Sequence, residues 1–243
     1  KITVLTAGAD ARVKAAAPSC GGVSDRPVEQ ALYAAAIADD AYLRRVACPI
    51  IFLSPANDFH GRIDDLQRAV GEVAAREWRA VCSPHRNHQD AAEYQAAGLL
   101  WFDQQLKGTF LFPATPEVGL DLKQADHVPR FTVKPDPSQP ALGVEIYYTQ
   151  QGQMDGKRDD MANTVNRFWH AARTAVSGEG VWTAELPLLD TARPLWAYAN
   201  VRYPLREPVS GAGYYYGPYT ADQFVLSSRL RVSLPRQLKE AGV

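Results

Sequence analysis

The sequence predicts an α/β first part followed by an all-β second part, and three observations carry that prediction. Two apolar runs, at 46–53 and 78–83, flank a stretch in which Ile63, Leu66, Val70, Val73 and Ala74 recur at helical spacing. Each run opens into a short loop rich in turn formers and acid-base side chains, so the unit reads as strand, helix, parallel strand. After Lys107 the period shortens to the alternation of strands, as in 141–148 and 182–186. The tract Phe112-Pro113-Ala114-Thr115-Pro116 separates the two regimes, which places the expected domains at 1–112 and 113–243.

Taken in order, residues 1–8 resemble the interior of a helix with no capping residue ahead of them, and Gly8 is placed to end it. The expectation is a natural chain that begins upstream. Residues 10–18 read as a turn and a short buried strand, stopped by Pro18 and the Gly21-Gly22 pair. Ser24-Asp25-Arg26 offers a cap for an alanine-rich helix over 27–40. After the central strand-helix-strand unit, Tyr94, Ala97, Leu100, Trp101 and Leu106 give 91–106 an apolar helical face that Gly108 closes. In the second part, 131–133, 142–149, 167–174, 181–186, 195–203 and 224–234 are candidate strands. Six or seven short strands in that length suggest an antiparallel sandwich of immunoglobulin or fibronectin type.

Composition narrows the function. The 26 basic and 27 acidic side chains leave a net charge of -1, without the basic excess that nucleic-acid binding requires. No run of about 18 apolar residues is present to span a membrane. Cys20, Cys48 and Cys82 are odd in number and adjoin apolar runs, which suits buried thiols better than a disulfide framework.

The chemistry concentrates at the ends of the two apolar runs. Asp58 follows the first, where a loop carboxylate can fix a histidine tautomer and stabilise its imidazolium; the plainer role is a turn or helix cap before Arg62. His88 follows the second and is the expected proton shuttle. His85 lies closer to the strand end, where the Pro84-His85 step holds its ring in the sheet edge, and His60 reads as a pocket-wall residue. Asp58, His60, His85 and His88 also supply a donor set that zinc accepts. A His-x-x-His on a loop without an adjoining glutamate is a weak metal pattern, however, so neither metal nor cofactor is expected. No Gly-x-Ser-x-Gly occurs, and no helix begins directly behind Ser19 and Cys20 to make a nucleophile turn. The aromatic tracts Arg167-Phe168-Trp169-His170 and Gly213-Tyr214-Tyr215-Tyr216-Gly217 are rich enough to stack on sugars, but core packing is the ordinary use of such residues.

Several stretches resemble α/β-hydrolases of the dienelactone hydrolase and acetyl xylan esterase kind. They are Ala7-Gly8-Ala9-Asp10-Ala11-Arg12-Val13-Lys14-Ala15, Pro49 through Asp58, Pro84 through His88, and Trp101-Phe102-Asp103-Gln104-Gln105-Leu106-Lys107-Gly108. The resemblance covers residues 1–108. It implies a partial α/β-hydrolase, a mostly parallel sheet with flanking helices, truncated just after the nucleophile serine and followed by the sandwich. The family's acid falls on Asp58 and its base on His88, and its serine falls upstream of residue 1. The implied activity is hydrolysis of a small-molecule or carbohydrate ester, with the 243-residue chain alone inactive. An appended sandwich favours a periplasmic or secreted location. The rival expectation is a non-catalytic glycan- or protein-binding protein.

Overall fold

Parallel pairing is scarce in this chain. The computed structural model describes residues 1–23, 30–88, 90–153, 161–213 and 217–243, and they fall into two compact units. The first comprises Lys1–Phe112 with Leu205–Val225, and the second Pro113–Pro204 with Leu226–Val243.

In the first unit, strand β1 (Ile50–Leu53) is buried throughout and pairs in parallel with β2 (Trp78–Val81), Ile50 opposite Trp78 and Leu53 opposite Val81. Between them runs α4 (Ile63–Glu72), preceded in the chain by α1 (Ile2–Ala9), α2 (Ala31–Ala36) and α3 (Asp40–Leu43). Helix α4 buries Ile63, Leu66, Ala69 and Val70, and Asp64 and Asp65 in its first turn suit the positive end of its dipole. On the other side of β1, four backbone hydrogen bonds join residues 16–20 to 49–53. Pro18 has no N–H to contribute, and the pairing registers only as isolated parallel bridges at Ala16 and Ser19. Helix α5 (Ala92–Phe102) packs against β1, where Gly98 leaves room for Leu53: a Cβ there would lie 3.0 Å from Leu53 Cδ1. A π-helical turn over Asp103–Lys107 follows and ends at Gly108 with φ 67°. Trp101, Phe110, Phe112 and Phe224 form an edge-to-face aromatic cluster with centroids 4.9–5.6 Å apart.

Outside β1 and β2 the ladders are antiparallel, and strands β9 and β10 each have residues in both units. One sheet has the order β10-β9-β5-β6, with β11 (Arg231–Ser233) also on β9, and the other has the order β3-β4-β8-β7. Strand β5 (Gly143–Thr149) pairs along its whole length with β9 (Leu195–Gly213), Gly143 opposite Arg202 and Thr149 opposite Trp196. Strand β6 (His170–Ala172) lies on its other edge. Strand β4 (Arg130–Lys134) sits between β3 (Glu117–Asp121) and β8 (Trp182–Glu185), and β7 (Ala175–Val176) adds a short edge. Strand β10 (Gly217–Ser227), α6 (Met161–Asn166) and the terminal α7 (Pro235–Ala241) complete the elements. Phe131, Val133, Ile146, Trp169 and Tyr198 are fully buried, and Trp169 meets Tyr198 edge to face at 4.9 Å.

This architecture corrects the expected fold class and the resemblance on which it leaned. The parallel sheet has two strands, and the other sheets are antiparallel, so the chain is not a parallel α/β fold and does not fit a partial α/β-hydrolase. The strand-helix-strand signal at 46–83 is real but local. The flanking stretch that was to widen the sheet on the β1 side is broken at Pro18 into two bridges. Other differences follow burial. Candidate strand 167–174 shrinks to β6, while β9 extends ten residues beyond Tyr203 through a stretch in which none is fully buried. The cap at 24–26 and residues 27–29 of the expected 27–40 helix lie outside the described residues, and of the rest Ala31–Ala36 forms α2. Among the described residues no helix is long and apolar enough to cross a membrane.

Candidate active site

The loops after β1 and β2 stay in register past the ends of the strands. Ser54 N–H donates to Val81 O, Ala56 N–H to Ser83 O and Asn57 N–H to Arg86 O, at 2.8–3.1 Å. This zipper brings together side chains thirty residues apart: His88 Nδ1 lies 2.8 Å from Asp58 Oδ2. Asp58 is fully buried, and its Oδ1 accepts the backbone N–H of His60 at 2.6 Å and that of Gly61. The carboxylate is thus aimed by its own turn. Phe59 stacks on the His88 ring at 5.0 Å and 23°, and the His60 ring lies 5.5 Å away. His88 is one-third exposed and takes a left-handed backbone at φ 53°, a sparsely populated conformation that persists where the surroundings enforce it. With Nδ1 donating to the carboxylate, Nε2 is left with the lone pair.

His60 and His85 are exposed and stand outside the group that converges on Asp58. The residue that does converge is Cys20. Among the described residues its Sγ, a carboxylate oxygen of Asp58 and a ring nitrogen of His88 all lie within 4.8 Å of one another. Cys20 is also left-handed, at φ 56°, with its N–H donated to Leu53 O at 2.8 Å. Gly61 makes the approach possible, because a Cβ there would come within 2.8 Å of Gly21 N and 3.1 Å of the Cys20 carbonyl carbon. Burial pushes the Cys20 thiol up to about 12; the neighbouring Asp58 and Asp90 charges push the same way, against a hydrogen bond from Ser19. The sequence signal that would have found Cys20 is the Ser19-Cys20-Gly21-Gly22 turn at the end of a strand beside β1, combined with Gly61 just past the acid.

No protein family, curated protein or solved structure matches this chain. The stretches that resemble α/β-hydrolases therefore carry no family membership, and the site is read from its own chemistry.

Beneath the histidine loop, Ser83 Oγ donates to Asp90 Oδ1, tying the end of β2 to the start of α5. Burial pushes the Asp90 carboxyl up to about 7, and the Asp58 charge adds to the rise while the Ser83 hydrogen bond and Arg86 oppose it. Asp90 Oδ2 has no partner among the described residues.

Proposed function

We propose that this chain is the base-bearing part of a serine hydrolase that acts on carboxylic esters. The observation that carries the reading is the 2.8 Å contact between His88 Nδ1 and the buried Asp58 carboxylate. In such an enzyme His88 Nε2 takes the proton of the attacking hydroxyl as its oxygen bonds to the ester carbonyl. The same proton then goes to the departing alcohol, and a water deprotonated by His88 cleaves the acyl-enzyme and releases the serine. Asp58 holds the ring and stabilises its charged form throughout. The nucleophile in this reading is a serine preceding Lys1, and its support is positional. The backbone nitrogen of Lys1, at the start of α1, lies 3.7 Å from the point a Cβ on Gly21 would occupy, one residue from Cys20.

The test is hydrolysis of p-nitrophenyl acetate and labelling by a fluorophosphonate. A chain extended upstream through the serine is expected to do both, and the 243-residue chain neither. In the longer chain, His88→Ala and Asp58→Asn should each lower kcat by about 10⁴-fold. Full activity of His88→Ala, or labelling of the short chain, overturns the assignment.

A second reading, a non-catalytic glycan- or protein-binding protein, is favoured by one feature of the second unit. Arg130, Tyr148, Arg173, Thr183 and Glu185 line a cleft of about 460 Å³, and Arg173 has no ion-pair partner among the described residues. Failure of the longer chain to hydrolyse any ester selects this reading.

A further inference from the structure

We propose that Cys20, Asp58 and His88 form a binding site for zinc, and that zinc bound there blocks the hydrolytic use of His88. The second half rests on the ester-hydrolase reading; the binding site does not. A thiol sulfur, a carboxylate oxygen and an imidazole nitrogen converge within 4.8 Å, a mixed donor set that a borderline-soft cation such as zinc accepts and that magnesium or calcium, which seek oxygen alone, do not. Tetrahedral zinc, with bonds of about 2.0–2.3 Å, holds its donor atoms roughly 3.3–3.8 Å apart. The Asp58–His88 contact, 2.8 Å as found, must open by about half an ångström, and Cys20 Sγ, within 4.8 Å of the other two donors, must close by about 1.5 Å at most. These are side-chain adjustments, and the three residues sit on three separate turns that the β1 ladder already holds together. Asp58 is braced for the role. Its Oδ1 keeps the two backbone donors of the 60–61 turn while Oδ2 faces the metal, the outer-shell support that orients a carboxylate ligand.

The balance is simple. Zinc binding forms an S–Zn bond and releases the Cys20 thiol proton to solvent; where Nδ1 ligates, its proton passes to Nε2 and the ring stays neutral, and where Nε2 ligates, Nδ1 keeps the proton it donates to Asp58. No electron is transferred. Three protein ligands leave a fourth position for water. The imidazole cannot then accept a proton from a nucleophile, so occupancy and hydrolysis exclude each other.

The experiment uses the 243-residue protein. Titration with zinc chloride against a chromophoric chelator is expected to show one equivalent bound, with affinity at least tenfold lower in Cys20→Ser and in His88→Ala and unchanged in Cys48→Ser. Cobalt in place of zinc should give a thiolate-to-metal charge-transfer band that Cys20→Ser abolishes. Should that variant fail to fold, protection of Cys20 from iodoacetamide by zinc, read by peptide mass spectrometry on the unaltered protein, serves the same end. No stoichiometric binding, unchanged affinity in a folded Cys20→Ser variant, or undiminished alkylation under saturating zinc overturns the site. Zinc binding together with an inactive longer chain keeps the site and removes the hydrolase reading, whereas ester hydrolysis undiminished by saturating zinc removes the inhibitory role.

Discussion

The two units bury different kinds of polar group. Among the described residues the first places four aspartates under its surface, Asp39, Asp58, Asp65 and Asp90, whereas the second buries Thr149, Gln150, Thr164, Asn200, Ser227, Ser228 and Ser233, one arginine, Arg167, and no acid. In the second unit the neutral groups close their hydrogen bonds locally. Ser227 Oγ donates to Asn200 Oδ1 at 2.6 Å, Ser228 Oγ accepts Ala199 N–H at 2.9 Å, and Gln150 Oε1 accepts the N–H of Leu189. Such pairs leave little unsatisfied, and their net worth is modest. A buried carboxyl is costly to ionise, and in the first unit that cost is met by backbone donors at Asp58 or escaped by protonation at Asp90. The contrast teaches where buried ionisable acids are placed: among the described residues they lie in the unit with the smaller sheet, and the core of the other unit holds none.

The largest expected effect tests whether the units are separable. Phe224→Ala removes the fully buried ring that meets Phe110 and Phe112 in the aromatic cluster of the first unit and should cost that unit about 3–5 kcal/mol. Urea unfolding followed by Trp101-sensitive fluorescence and by far-ultraviolet circular dichroism should then split into two transitions. A single coincident transition, shifted as a whole, would join the units into one cooperative block and blunt the comparison.

A smaller effect isolates the buried acid. Asp90 has a folded-state pKa of about 7, above the ordinary carboxyl value of 3.8, so the folded state holds a proton that the unfolded chain gives up. Stability from this group is therefore full below about pH 4, declines as pH rises toward 7, and is flat above. Asp90→Asn, which keeps an acceptor for Ser83, should remove this slope and stabilise the protein at pH 8 by on the order of 1–3 kcal/mol. An unchanged pH profile between 4 and 7 in thermal melts would contradict the burial argument. The smallest effect comes from the other unit: Ser227→Ala should cost about 1 kcal/mol by urea denaturation, with no dependence on pH from 5 to 8. A clear pH slope in that penalty would blur the distinction between the two cores.

Legibility in the sequence follows the same division. Asp58 and His88 stand out because each ends an apolar run, and a parallel register carried past the strands is enough to bring them together. Cys20 does not stand out, since its arrival depends on Gly61 allowing two backbones to approach closely and on a pairing with β1 that consists of two isolated bridges and has no periodic signature. The short strand β3 and the edge β7 lie outside every candidate strand; Val118 and Leu120 in β3 are only half-buried, and β7 is exposed. The resemblance to a hydrolase failed for a different reason. Its motifs are local turns and helix ends, and such strings can recur in order without the wide parallel sheet that would make them one fold.

The first unit is not a continuous piece of chain. Its residues resume at Leu205 after an interval of about 90 residues spent on the second unit, and they end at Val225. A ribosome making about 5–20 residues per second therefore releases Phe112 some 5–25 s before Phe224 exists to cover it. During that interval Phe110 and Phe112 lack the ring that both meet edge to face, so a nascent chain stalled anywhere between 112 and 224 leaves the aromatic cluster open. The order of synthesis leaves the unit that bears Asp58 and His88 unfinished until Phe224 has emerged.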